Sequence, residues 1–317
     1  MSHATTLTAG IDTAKDKLDV AIHGQSHIFT VENRRPGWKL LASKLANAGV
    51  RRVGIEATGG YERGVTRYLQ AQGFTVLVLQ PLQVKAYARL HLRRAKNDHI
   101  DAILIAACAS AIEPGNVEPD PRLDALLDQL TFVEQTEADI ARFKTRLEHI
   151  SDARLRHRVT ADITRLEKRR TAELRRIEAG LRSHADLAGR FDLVLSIPGI
   201  AERTAIALIL RLPEIGKVSR EQAAAIAGLA PFDNDSGKHN GDRHIAGGRA
   251  RLRRSLYAAA LPAAFHWNPA LKALYARLIA RGKCHKSALV ACARKLLIFA
   301  NTVVQRGTPW TNRTASA

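Results

Sequence analysis

Four carboxylates in the first third of the chain, Asp12, Glu56, Asp98 and Asp101, fall where a metal-dependent nuclease site would put them. Asp12 ends the apolar run Leu7 to Ile11, and Glu56 ends the run Val53 to Ile55. Asp98 and Asp101 stand three residues apart at the start of a helical stretch, so they share one helix face. Acids brought together repel one another unless a divalent cation holds them, and all-oxygen donor sets suit Mg²⁺ or Mn²⁺. Two such ions would stabilise the attacking and leaving oxygens of an in-line displacement at phosphorus. Taken singly, each acid has a plainer reading as a surface charge, and Asp98 as a helix cap. The set, within one apparent α/β domain, is what points to chemistry.

A second candidate is the loop PFDNDSGKHNGDRHIAGGRARLRR, with Ser236-Gly237 in a polar stretch between an apolar helix and an arginine-rich one. Asp, Asn, Ser and Gly are turn formers, so the loop needs no chemistry to explain it. A nucleophilic serine needs a base, a metal or a neighbouring cation. Asp233, Asp235, His239 and His244 are all available, and the spacing ranks none of them. Arg249, Arg251, Arg253 and Arg254 follow closely and could clamp phosphate. The glycines of GIEATGGYERG fit a tight strand-to-helix turn with Thr58 as cap. They lack the Gly-Lys-Ser/Thr ending of a phosphate-binding P-loop. Trp38, Trp267 and Trp310 read as packing residues.

These groups need elements to position them. Three short strands are predicted in residues 5–32, then a helix from Pro36 to Asn47, a strand at RRVGIEA and a helix from Tyr61 to Ala71. TVLVLQP reads as a buried strand, and a basic helix from about Leu82 and the helix Asn97–Ser110 follow. The order β-β-β-α-β-α-β-α predicts a mixed sheet with helices on its faces and carboxylates at strand ends. EPGNVEPDP (113–121) is the clearest linker. Arg122 to about Ser183 contains no proline and keeps apolar residues at helical spacing, which fits one or two long helices, as a coiled-coil arm or as part of a bundle. LVLSIPGIAERTAIALILRL reads as a helix-hairpin-helix, whose Gly199 turn can offer backbone N–H groups to a phosphate, or as a plain helical corner. Helices are predicted at 219–228, 247–261, 269–281 and 284–305, with a loop at 230–246. The expected organisation is therefore 1–113, 114–188 and 189–317, α/β first and all-α after.

Composition narrows the partner. At 317 residues the chain is long enough for two cores, and its 49 Lys+Arg against 30 Asp+Glu give a net charge of +19. That balance argues for a polyanion, nucleic acid before membrane. From Arg243 to Ala317 there are 14 Lys or Arg and not one Asp or Glu. Lys85, Arg89, Arg93 and Lys96 recur at helical spacing with Arg94 beside them, and no acid stands between Glu62 and Asp98. Unpaired positive charge repels itself, and a phosphate backbone relieves it. No apolar run approaches the roughly 20 residues a membrane helix needs, and MSHATTLTAG has no signal-peptide pattern, so a cytoplasmic, nucleoid-associated bacterial protein is expected. Cys108, Cys284 and Cys292 read as reduced core thiols.

The segments GIDTAKDKLDVAI, GIEATGGYERGVTRYL, QVKAYARLHLRRAKNDHIDA, SIPGIAERTAIALI and AGLAPFDNDSGKHNGDRHIAGGRARLRRSLY, in that order, resemble the insertion-sequence transposases of the IS110 family, which also includes the Piv and MooV DNA invertases. The likeness runs from about Leu7 to Gln305. It implies an N-terminal RuvC-like domain of ribonuclease-H type, a coiled-coil linker and a C-terminal transposase domain with a serine. The RuvC-like tetrad then falls on Asp12, Glu56, Asp98 and Asp101, and the recombinase serine on Ser236. The resemblance further implies Mg²⁺ or Mn²⁺, DNA cut and rejoined through the serine, guidance by a noncoding bridge RNA, and homodimers that assemble into tetramers. Two other classes compete with this reading. A RuvC-like structure-selective endonuclease would need the four acids but not Ser236, and a non-catalytic nucleic-acid binder would need neither.

Overall fold

Apolar and polar residues alternate through the first strands, and the chain folds them into one sheet. A computed structural model describes residues 7–25, 27–91, 98–112, 120–232 and 244–311, leaving the side chains of Leu82, Phe232 and residues 98–100 outside the description. By internal contacts the chain divides into two units, Met1–Asn116 and Val117–Ala317.

In the first unit, β1 (Thr8–Thr13), β2 (Lys17–Ile22) and β3 (Ile28–Glu32) form an antiparallel meander. After α1 (Arg35–Asn47), strand β4 (Arg52–Glu56) pairs parallel with β1. After α2 (Arg63–Ala71), β5 (Thr75–Leu79) pairs parallel with β4, and the strand order is β3-β2-β1-β4-β5. Helices α3 (Pro81–Leu90) and α4 (Asp98–Ala111) follow. Ile11, Leu18, Val20, Leu41, Leu45, Val53, Ile55 and Leu69 close the core over one face. β5 was expected to be buried. It is the sheet's edge, with Thr75 exposed and Val78 44% exposed, so its apolar run reflects β-branched propensity more than burial.

Helix α4 crosses the other face of β1 and β4 at backbone contact. A Cβ on Gly10 would lie 2.2 Å from the Ala106 nitrogen and 2.3 Å from the Ala102 oxygen, and one on Gly54 would lie 2.4 Å from the Ala109 Cβ. The two glycines are register partners, so together they form a flat floor for the helix. Arg52, at the start of β4, donates to the carbonyls of Ala109 and Ile112 near the helix's C-terminus. The helix therefore runs antiparallel to the strands, and its N-terminal turn reaches the ends where Asp12 and Glu56 stand.

The second unit begins with a helical hairpin, α5 (Pro121–Glu148) and α6 (Ala153–Arg182). Asp120 and Asp152 cap the two helices, and Pro121 sits at the first position of α5, where its missing N–H costs nothing. A Cβ on Gly180 would meet Leu126 at 2.6 Å, so this glycine lets the helices close at their root. Leu123, Leu126, Leu130, Val133, Ile177 and Leu181 of the hairpin share one core with Phe191, Leu208, Leu256 and Leu296. The division expected between 188 and 189 thus falls inside this unit. The remaining helices are α7 (Ala185–Leu195), α8 (Glu202–Arg211), α9 (Arg220–Ala227), α10 (Ala250–Pro262), α11 (Pro269–Ala280) and α12 (His285–Arg306). A short ladder, β6 (Pro231–Phe232) with β7 (His244–Ile245), lies where a plain loop was expected, and a π-helical turn occupies Ala263–Trp267. By length and composition α12 could cross a membrane, contrary to the expectation from the sequence. Half of that window is buried in the unit, with Leu289, Cys292, Leu296 and Leu297 in the core. Cys108 and Cys292 are buried as expected, whereas Cys284 is exposed.

Arginine–carboxylate forks join these helices. Glu134 of α5 takes Arg211 of α8 at 2.6 Å and Arg251 of α10 at 2.9 Å, and Glu137 takes Arg203 at 2.9 Å. Arg249 forks onto Glu214 with both bonds at 2.6 Å. Burial alone would raise the Glu214 carboxyl, but the Arg249 guanidinium more than offsets it and holds the group below its ordinary value.

Two stability predictions follow from this packing. Gly10→Ala gains up to about 1 kcal/mol from lower chain entropy but forces backbone apart, which costs about 1–3 kcal/mol or more. The urea midpoint of the first unit should fall. Glu214→Gln leaves Arg249 half-buried without its charge partner and should cost about 1–3 kcal/mol. Because the folded carboxyl is depressed, the pair's contribution is full above the ordinary carboxylate range and is lost as pH falls through the lowered value. Melting the wild type and Glu214→Gln across acid pH should show their difference shrinking.

Candidate nucleic-acid-cleaving site

Side chains two residues apart in a strand lie on one face. Asp12 therefore shares the face of Gly10, and Glu56 that of Gly54, which is the face that α4 covers. Asp101 stands in the first turns of α4, and the side chain of Asp98 lies outside the description. The electrostatics show the result. Burial raises the Glu56 carboxyl above its ordinary value, Asp12 and Asp101 raise it further, and Lys85 of α3 pulls it down. Strands β1 and β4 and helices α3 and α4 thus converge on one half-buried carboxyl. Among the described residues no group of three acid, His or Cys side chains is gathered closely enough to hold an ion by itself. The donor chemistry nonetheless fits a hard divalent cation, because like charges that oppose one another's ionisation are relieved by bound positive charge.

Two acids around this site escaped the sequence reading. Asp19 is Asp12's register partner across β1 and β2, so its side chain shares the same face. It is 2% exposed, accepting from Lys17 Nζ at 2.7 Å and Thr30 Oγ1 at 2.6 Å. Its only signal was an acid in the middle of the alternating strand KLDVAI. Glu62 is buried and accepts from the backbone N–H of Thr58 and Gly60 at 3.0 and 2.9 Å. It fastens the turn that follows Glu56, where Gly59 and Gly60 take positive φ. Thr58 does not cap α2; its hydroxyl donates to the Glu56 carbonyl.

Ser236 lies outside the described residues, as do Asp233, Asp235 and His239. Phe232 and His244 are register partners across the β6–β7 ladder. Of the basic candidates, Lys85 and Arg89 are exposed on α3, and Arg93, Arg94 and Lys96 lie outside the described residues. Arg249 is held by Glu214, Arg251 by Glu134, and Arg253 donates to the Gly247 carbonyl at 2.7 Å. Arg254 is exposed. Gly199 has φ of +95°, and a Cβ there would meet the Ala263 Cβ at 2.3 Å. The turn between α7 and α8 therefore packs on the π-helical turn, and the Pro198 carbonyl accepts from Asn268.

Comparison with known proteins bears on what this arrangement belongs to. A family model for DEDD transposases of IS110 type, described as "Transposase", matches residues 9–157, and one described as "Transposase IS116/IS110/IS902 family" matches residues 191–276. The pilin gene-inverting proteins of Moraxella bovis and Moraxella lacunata are each 28% identical, over 96% of this chain and 97% of theirs. An uncharacterized 43.6 kDa protein of insertion element IS110 from Streptomyces coelicolor is 29% identical over 49% of this chain and 38% of its own. T. thermophilus RuvC, in complex with a Holliday junction substrate, aligns with 32% of this chain and 91% of its own at 17% identity and a TM-score of 0.28, too loose a superposition to describe the sheet. The two family models follow one another along the chain and together match the greater part of it, so the chain belongs to the IS110 family of transposases.

Proposed function

We propose that the protein recombines DNA by a metal-assisted serine mechanism, with Asp12, Glu56, Asp98 and Asp101 as the metal-binding acids and Ser236 as the nucleophile. The observation that carries the reading is the Glu56 carboxyl, half-buried and pressed by Asp12 and Asp101 at the ends of parallel strands. The strand order, an antiparallel meander continued by two parallel strands, supports a ribonuclease-H-type domain of the RuvC-like kind. A Mg²⁺ or Mn²⁺ ion held there would supply Lewis-acid polarisation of the scissile phosphate. Asp12 and Glu56, fixed on adjacent strands, and Asp98 and Asp101 of α4 would hold that cation. The Ser236 hydroxyl would attack phosphorus, lose its proton to a base and expel the strand's 3′ or 5′ oxygen. A phosphoserine bond keeps the energy of the broken phosphodiester, so strands rejoin without ATP.

The same reading assigns a bridge RNA as guide and a homodimer assembling to a tetramer through the helical arm. The arm's outer part supports this: Leu155 is 44% exposed, and few apolar residues of 141–160 are covered within the chain. A protein that leaves sequence choice to base pairing needs mainly backbone-directed charge, which fits Lys85 and Arg89 on α3, Arg93, Arg94 and Lys96 after it, and Arg254.

Covalent trapping tests the mechanism. Protein, its co-transcribed noncoding RNA, Mg²⁺ and labelled element-end DNA are run on a denaturing gel, with Ser236→Ala and Asp12→Asn beside wild type. An adduct that requires Ser236, Asp12 and Mg²⁺ is expected. Adduct-free cleavage indifferent to Ser236 would identify a hydrolytic RuvC-like endonuclease instead, and full activity in EDTA would remove the metal. For the basic residues, Arg254→Ala should leave stability within about 0.5 kcal/mol and reduce the salt slope of DNA binding by about one. Arg249→Ala should instead lower the melting temperature. A reversal of the two effects would exchange their roles.

A further inference from the structure

We infer that the surface around the π-helical turn Ala263–Trp267 is a stacking platform for the unpaired bases of a DNA strand. Helix α10 ends at Pro262, and the π turn that follows swings three consecutive ring side chains outward, Phe265, His266 and Trp267. The π turn closes the α10 path at the extended Asn268, which caps α11. Trp267 is 65% exposed and Phe265 39%, with Leu261 and Ile279 also exposed. An aromatic ring left in water forgoes the largest burial gain available to any side chain, so these rings contribute little to the fold that displays them.

Phe265, Tyr275 and His285 form one ring cluster, and exposed cations stand beside it in the chain. Phe265 lies 5.0 Å from the Tyr275 ring and 6.4 Å from His285, centroid to centroid. The Tyr275 hydroxyl and His285 Nδ1 are joined by a hydrogen bond of 2.7 Å, which ties α11 to the start of α12. Lys272 precedes Tyr275 by three residues on α11 and shares its face, and Arg281, Lys283 and Lys286 surround His285 in the chain, all exposed. No Asp or Glu occurs from Arg243 to Ala317. Flat exposed rings between cations are what unpaired nucleotides require, bases on the rings and phosphates on the rim. A second copy of the chain fits less well, since a two-fold contact would set these exposed cations against themselves. Duplex DNA fits less well too, because its base faces are already stacked. Strand exchange opens DNA, and the commitment to DNA rests on the family's transposase character alone, not on Ser236 or the carboxylates.

The test is equilibrium binding of the full-length protein in EDTA to labelled oligothymidylate, to oligouridylate and to duplex DNA. Trp267→Ala should weaken oligothymidylate binding roughly 5- to 100-fold, Trp267→Phe should restore most of it, and duplex binding should change less than about twofold. Lys272→Ala with Lys286→Ala should flatten the salt dependence for the single strand. Unchanged single-strand affinity in Trp267→Ala would overturn the inference, as would an equal loss on duplex. A loss confined to oligouridylate would replace the DNA strand by RNA and overturn it as stated. A fall in sedimentation mass with affinity intact would make the surface a contact between copies. Because no metal is present, none of these outcomes touches the covalent-trapping result.

Discussion

A carboxylate cluster cannot assemble itself: each acid raises the cost of ionising the next, so geometry must be imposed by something stronger. Here that is the backbone contact of α4 on β1 and β4, made possible by the absence of two side chains at Gly10 and Gly54. The pleat then carries the consequence forward without further choice. Two residues beyond each glycine, on the same face, stand Asp12 and Glu56, and the helix that lies on the glycines brings Asp101 to them. Arg52 fixes the far end of that helix through two carbonyls. The energy that opposes the acids is thus met by packing at a distance from them. Burial first, and then that opposition, raise the Glu56 carboxyl.

Charge plays a different part in the second unit. The sequence shows a large basic surplus, but the structure sorts it. Arg203, Arg211 and Arg249 fork onto Glu137, Glu134 and Glu214 in part-buried pairs between segments far apart in sequence, and the exposed Arg251 adds a single bond to Glu134. Exposed pairs such as Arg142–Asp139 and Arg176–Glu173 lie within one helix and are worth little. What remains for a polyanion is the exposed set, Arg254 and the lysines and arginines of α11 and the start of α12. An arginine count therefore overstates the binding surface, and partnership decides which cations belong to it.

Much of the first unit was legible because its signals are local. Alternation marked β2 and β3, Gly49 and Pro36 bounded α1, and apolar runs ending in acids located β1, β4 and both strand-end carboxylates. What escaped is non-local. β5 reads as buried because Val and Leu fill it, yet nothing in its own residues says that it stands at an edge of the described sheet. Asp19 becomes part of the acid face only through its register with Asp12. The arginine run 249–254 looked like a phosphate clamp because its carboxylate partners lie 35 and 117 residues away. Trp267 passed for a packing residue for the same reason: burial belongs to the surroundings, and those here leave it in water.

The two units also divide the recognition problem by physics. Carboxylates with an oxygen-loving cation act on phosphorus and are blind to base identity, as are the lysines and arginines that hold a backbone. Neither can distinguish a paired strand from an unpaired one. Exposed rings can, because a base face is available to them only when its own stack is broken. An enzyme whose reaction passes through opened strands needs that distinction somewhere. In this chain the rings stand in the acid-free segment, held by the Tyr275–His285 bond and rimmed by cations, while the acid site contains none of them. In the proposed reading, phosphate chemistry and the sensing of strand state are therefore built from different residue classes, each within its own unit.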